Sequence, residues 1–166
     1  IARTLRDLDL YSCSVTYIYA KDMANFGNLS TLNISPLITY IEPRSFSNMT
    51  NLVKLVVKFD LTSRALKAYT FVGLDKLTWI GFSFSGIYAI EAYAFYGMTS
   101  LNSLDMQMTS LAKIEPWSFY GLANLTSLAL SMNKITSLWA NTFSGLASLR
   151  KLLLFNNLIS FVENGA

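Results

Sequence analysis

Four glutamates, Glu42, Glu91, Glu115 and Glu163, fall at one recurring place in the chain, 49, 24 and 48 residues apart. Carboxylates in such register could hold a metal ion or share acid–base work. The rest of the sequence argues against both. There is no histidine, the side chain that most often moves protons near neutral pH. No zinc spacing, phosphate loop or nucleophile elbow occurs. Lys67 holds the matching place between Glu42 and Glu91. The column therefore reads as carboxylates serving local surface turns, with Lys67 relieving their repulsion, and surface pairs of this kind contribute little. No catalysis, cofactor or metal is expected.

A second chemistry is suggested by four N-x-S/T sequons, at Asn28, Asn33, Asn48 and Asn124. Each could carry a glycan if the protein is secreted. Asn28 and Asn124 stand at presumed corners of the chain, where a glycan is tolerated. Asn33 is expected to face outward from a strand, where a glycan would cover part of a binding face.

What positions these residues is a repeat. The phrases "IEPRSFSNM", "IEAYAFYGM" and "IEPWSFYGL" recur along the chain, and their phenylalanines belong to the series Phe46, Phe71, Phe95, Phe119 and Phe143. The leucines Leu5, Leu29, Leu52, Leu77, Leu101, Leu125 and Leu149 keep nearly the same step of 23 to 25 residues. Each opens the motif L-x-x-L-x-L, read as LRDLDL, LSTLNI, LVKLVV, LTWIGF, LNSLDM, LTSLAL and LRKLLL. Alternate apolar residues at the end of that motif have the period of a strand. A single coil of this length cannot bury its apolar side, whereas stacked coils bury each other's. The reading is one array over residues 1–166, with coils starting near 5, 29, 52, 77, 101, 125 and 149 and the last incomplete. Parallel strands line one side and the phenylalanines add bulk opposite, so the stack should curve with its strands on the concave face.

The pattern resembles the leucine-rich repeat, L-x-x-L-x-L-x-x-N-x-L, over essentially the whole chain. Its 24-residue step and F-x-x-L spacing are similar to the typical subtype found in Toll-like receptor ectodomains, variable lymphocyte receptors and neuronal adhesion proteins. The phrase IEAYAF is also similar to BspA-type repeats of bacterial surface proteins. The resemblance implies an α/β solenoid, a right-handed coil with a parallel sheet on the concave face and a mostly irregular or short-helical convex side. The family's ladder asparagine is kept at Asn133 and Asn157 and replaced by Cys13, Leu37, Asp60, Ser85 and Thr109. Cys13 in that slot should be buried and inert, since reactive thiols need exposure and a lowered pKa. Uneven coils around Pro36 favour the Toll-like branch. Neither end carries a cysteine-rich cap, so the chain is expected to be an internal part of a longer protein.

Outward-facing columns are the candidate binding surface. Seven residues after each opening leucine stand Ser12, Pro36, Phe59, Phe84, Met108, Met132 and Asn156. Four consecutive large apolar side chains there, Phe59 to Met132, would form a stripe about 15 Å long if exposed; the alternative is that they tuck under the next loop. On the strands, Trp79 beside Gly81 is a candidate anchor with room for a ligand group, or an ordinary half-exposed strand residue. Lys54 and Lys58 complete the candidate ligand-binding set, and Arg150 with Lys151 makes a small basic end.

The resemblance implies recognition: an extracellular or cell-surface module, with the endosomal lumen as a further location, taking a protein or microbial ligand on its concave or edge surface and bringing two receptors together. The alternative is a cell-surface or matrix adhesion protein, including antigen binding like that of lymphocyte receptors. The net charge of +3 gives nucleic acid no support, and without histidine the segment has no switch near pH 6. No apolar run reaches the roughly 18 residues of a membrane span, so a membrane would be met only through flanking regions.

Overall fold

The computed structural model describes residues 4–34, 37–61 and 65–166. Ser35 and Pro36, members of two outward columns, lie outside the described residues. The elements in chain order are β1 (Asp7–Leu10), β2 (Tyr17–Ile18), the short helix α1 (Ala20–Met23), β3 (Thr31–Ile34), β4 (Tyr40–Ile41), β5 (Lys54–Val56), β6 (Ala65–Leu66), β7 (Trp79–Gly81), β8 (Ala89–Ile90), β9 (Ser103–Asp105), β10 (Lys113–Ile114), β11 (Ser127–Ala129), β12 (Ser137–Leu138), β13 (Lys151–Leu153) and β14 (Phe161–Val162). Each coil thus contributes a longer strand from L-x-x-L-x-L and a two-residue strand on the far side.

All described pairings are parallel. The longer strands form two sheets, β1–β3–β5 and β7–β9–β11–β13. Within them Leu8, Leu32 and Leu55 stand in one row, and Ile80, Leu104, Leu128 and Leu152 in another. The row continues in kind from Leu55 to Ile80, but β5 and β7 are not laddered together. The two-residue strands form a second ladder in three pieces, β2–β4, β6–β8–β10 and β12–β14. The convex side is therefore a parallel ladder with turns. Its only helix among the described residues is α1, where mostly irregular or short-helical backbone was expected.

The core runs lengthwise between the ladders. Phe46, Phe71, Phe95 and Phe119 are fully buried, and with Phe143 they stack ring on ring at 6.3, 5.5, 5.9 and 6.1 Å. These steps exceed the roughly 4.8 Å between paired strands, which places the longer strands on the inside of the bend. The turn after the last four rings carries glycine, Gly73, Gly97, Gly121 and Gly145, each with φ between +91° and +103°, while Asn48 follows Phe46. At Gly73, φ is +97° and a side chain would collide with the Phe46 carbonyl of the coil before, a backbone state that glycine alone adopts freely.

Candidate functional site

The strand face holds two shallow depressions. One, of about 230 Å³, is lined by Asp7, Asp9, Thr31, Asn33, Lys54 and Val56. The other, of about 270 Å³, gathers Lys58, Trp79, Gly81, Ser83 and Asp105 beside Val56 and Val57. Lys58 and Trp79 therefore come together, while Lys54 belongs with the carboxylates of β1. Trp79 is exposed. The room beside it is already taken: a Cβ on Gly81 would lie 2.7 Å from Cζ2 of the Trp79 indole. Glycine at this place leaves room for the chain's own ring, which corrects the expectation of space for a ligand group.

The apolar column divides. Phe84, Met108 and Met132 are 62%, 41% and 39% exposed, whereas Phe59 is 3% exposed. Backbone explains the difference. Phe84, Met108, Met132 and Asn156 all have φ between 55° and 63°, a left-handed state that is unusual for large side chains. It turns the chain out of the sheet, and the amides of Met108 and Met132 donate to the carbonyls of Ser131 and Phe155 in the next coil. Phe59 is not among the left-handed residues. It bridges Ile38 in parallel fashion and packs its ring on Phe82 at 5.9 Å. The exposed stripe is therefore three residues long, and Phe59 belongs to the core.

The slot that follows this column is a polar ladder in decline. The Asn133 Oδ1 accepts from the Thr109 amide, the Thr109 hydroxyl and the Leu111 amide, each at 3.0 Å. Its Nδ2 donates to the carbonyls of Met106, Leu130 and Ser131. Asn157 repeats part of the pattern toward Ile135, Leu130 and Leu154. Two coils back, the Ser85 hydroxyl accepts from the Phe59 amide. Cys13 departs from expectation. It is exposed and lies in the outermost described coil.

Comparisons with known proteins meet this geometry directly. The family described as "Leucine rich repeat" matches residues 101–159, and the "BspA type Leucine rich repeat region" matches residues 2–64. Between them the two stretches take in most of the chain. The chain is a leucine-rich repeat protein. A crystal structure of a TLR13–ssRNA13 complex is similar over 99% of this leucine-rich repeat chain and 24% of its own, with 26% identity and a TM-score of 0.77. An internalin, InlF, from Listeria monocytogenes is similar over 95% of this chain and 50% of its own, with 22% identity and a TM-score of 0.55; that likeness concerns the fold alone. The leucine-rich repeat array thus spans about a quarter and a half of these two proteins. No curated protein matches the chain in sequence.

The glutamate column of the leucine-rich repeat is a clamp between coils. Each glutamate reaches back twice to the coil before it. The amides of Glu42, Glu91, Glu115 and Glu163 donate to the carbonyls of Ile18, Leu66, Ile90 and Leu138. Their Oε2 atoms accept from the amides of Ala20, Ala68, Ala92 and Ala140, at 2.7, 3.1, 3.3 and 2.8 Å. They serve the neighbouring coil's turn, not their own. Beyond the first coil, which has Tyr19 at this place, two coils lack the glutamate and carry Lys67 and Trp139, and the residues that would donate to them are Pro43 and Pro116. Proline has no amide hydrogen, so a glutamate there would find no donor. The short ladder breaks at those same two junctions, between β4 and β6 and between β10 and β12. Lys67 instead gives its Nζ forward to Glu91 Oε1 at 2.6 Å, and the Trp139 amide turns to the Thr142 hydroxyl of its own coil.

At Glu91 partial burial pushes the carboxyl pKa up, but the hydrogen bonds from Lys67 and the Ala68 amide and the charges of Lys67 and Lys113 outweigh it and hold the group below its usual range. The hydrogen bond to Glu91 raises Lys67 against the opposing effect of burial, and the carboxylate's charge adds to the rise.

Where the second break occurs, the flank opens into a groove of about 660 Å³. Ile114, Pro116, Trp117, Trp139, Ala140 and Glu163 are among its walls. Sequence reasoning missed this site. Its signal was the pair Pro116 and Trp139, each a departure from alanine and glutamate at fixed repeat places. Among the sequons, Asn48 and Asn124 are exposed, while Asn28 and Asn33 are half-buried. The Asn124 Nδ2 donates to the Thr99 carbonyl at 2.8 Å. Among the described residues no three His, Cys, Asp or Glu side chains gather to hold a metal, and no helix is long and apolar enough to cross a membrane.

Proposed function

We propose that this leucine-rich repeat array is the ligand-recognition part of a Toll-like pattern-recognition receptor, working on the cell surface or in a lumen continuous with the outside, and taking a protein or microbial ligand. The observation that carries the reading is the row Phe84, Met108 and Met132. Three large apolar side chains are held outward by left-handed backbone on successive coils, next to the exposed Trp79 and Lys58. Backbone strain of this kind, about 1–3 kcal/mol per residue, keeps apolar surface in water where folding alone would hide it. Exposed apolar rows mark partner surfaces, and aromatic anchors dominate their energetics. The likeness to part of the TLR13 chain, in fold and at 26% identity over the aligned residues, favours the receptor over an adhesion protein. The single-stranded RNA of that complex is its own ligand. Here the strand face mixes Lys54, Lys58 and Lys151 with Asp7, Asp9 and Asp105, which favours a protein or lipopeptide over a polyanion.

The test is binding of the chain to a panel of microbial surface proteins, lipopeptides and single-stranded RNA, at about pH 5.5 and about pH 7.4, with Phe84→Asp and Met108→Asp beside the parent. The expected result is a protein or lipopeptide ligand lost in both variants while their melting temperatures stay unchanged. RNA binding that strengthens at the lower pH, or a ligand indifferent to both substitutions, would defeat the reading.

A further inference from the structure

We propose that the groove between Trp117 and Trp139 is a second binding site, on the flank away from the Phe84 row, and that it takes an arginine side chain presented by a protein partner. The groove follows from the interrupted clamp. Pro116 offers no amide hydrogen, the next coil carries Trp139 in place of glutamate, and the short ladder stops between β10 and β12. The opening is of about 660 Å³, room for a guanidinium and the stem that carries it.

Three observations select the occupant. Both indoles are braced on one side by a ring, Trp117 by Tyr120 at 5.9 Å and Trp139 by Phe161 at 5.2 Å, yet stay 37% and 46% exposed. They are preorganised aromatic surface with no cation of this chain over either indole among the described residues, since Lys113, also in the groove wall, is paired with Glu115. Next, the charge is unbalanced. Glu115 is used on both oxygens, by Lys113 Nζ at 3.0 Å and by the Ala92 amide. Glu163 is used only on Oε2, by Ala140, which leaves Oε1 without a protein partner among the described residues. One negative charge is therefore uncompensated in an aromatic groove. Finally, the same flank already stacks an arginine. The Arg44 guanidinium lies 5.4 Å from the Tyr69 ring, and Arg44 and Trp117 hold equivalent repeat places. A planar guanidinium can lie on an indole face and still offer N–H groups to a carboxylate, whereas an ammonium offers no flat face to the ring. Arginine and tryptophan are also the side chains that concentrate binding energy at protein interfaces.

The experiment uses N-acetylargininamide as probe, titrated into the whole chain labelled with nitrogen-15, reading the three indole N–H resonances. The expected result is saturable shifts of Trp117 and Trp139 with Trp79, on the other face, unmoved. N-acetylcitrullinamide, the neutral isostere, should move none of them. Glu163→Gln keeps an acceptor for the Ala140 amide and removes only the charge, so it should leave the spectrum of the folded chain intact and weaken binding about tenfold. Trp139→Leu should abolish the Trp117 shift. The absence of a saturable shift, equal shifts with the citrulline amide, equal movement of Trp79, or unchanged affinity in Glu163→Gln would each overturn the assignment.

Discussion

Trp139 stands at the repeat place where Glu42, Glu91, Glu115 and Glu163 clamp the preceding coil, and the residue at the other end of its would-be clamp is Pro116. The two departures belong together. A carboxylate opposite proline would be desolvated without a donor, and a buried or half-buried acceptor left unmet costs about 1–3 kcal/mol. The same pairing of absences recurs at Pro43 and Lys67.

The clamp rule predicts coupling. Ala92→Pro should destabilise the chain by about 1–2 kcal/mol, through the lost amide and the stranded Glu115 carboxylate. Adding Glu115→Trp should recover part of that loss. A double-mutant cycle by urea unfolding should give a coupling of about 0.5 kcal/mol or more; additive effects would count against the clamp.

Acid should expose the Glu91 contribution. Its folded pKa is depressed, so its stabilisation is full above the unfolded value of about 4.3 and fades as pH falls through the lower folded value. The stability gap between the parent and Glu91→Gln should be flat near neutrality and close on acidification below about pH 4.3. Lys67, raised by the same bond, behaves oppositely: its contribution holds below about pH 10.4 and fades as pH rises through the folded value. The pair is half in water, with side chains 46% and 31% exposed. The effect should stay under about 1 kcal/mol and shrink with salt.

Asn133→Ala should be the most damaging polar substitution. It removes six hydrogen bonds from a buried side chain and strands amides and carbonyls of two coils. A loss of about 3 kcal/mol is expected, against about 1 kcal/mol for the half-buried Asn157→Ala, both measured by thermal or urea unfolding.

Phe59 and Phe84 occupy the same repeat column and should respond differently. Phe59→Ala, in the core against Phe82, should cost about 3–4 kcal/mol. Phe84→Ala should change stability by less than about 0.5 kcal/mol.

In a secretory host, Asn48 should carry glycan most completely. Its side chain is exposed, that of Asn33 is half-buried, and the Asn33 Oδ1 is shut away from solvent. Glycopeptide mass spectrometry should find Asn48 occupied and Asn33 bare.

The solenoid was legible because its signal is repeated. Leu104, Leu128 and Leu152 pair in the register that the spacing implies, and the phenylalanine series becomes a stacked spine. What was hidden depends on backbone state or on contact between coils. Periodicity places Phe59 and Phe84 in one column but does not say which one turns left-handed. It groups Trp79 with Gly81 but does not show that the indole fills the space itself. Cys13 was placed inside because it holds the ladder-asparagine slot, yet it is exposed. The groove arises from a missing hydrogen, which no hydrophobic pattern records.

The ring spine has a bearing on how such a chain can grow. Each phenylalanine stacks on the ring before and the ring after, with Phe82 set against Phe71 and Phe95 from the strand side, so an in-frame duplication of a whole unit extends the spine by one more vertebra. The clamp adds a rule of grammar to that freedom. A unit that opens its convex turn with glutamate finds no amide donor behind one that carries proline, and at Pro116 that mismatch leaves a notch in the outer wall. Lengthening and the making of new crevices are thus governed by a single imino acid.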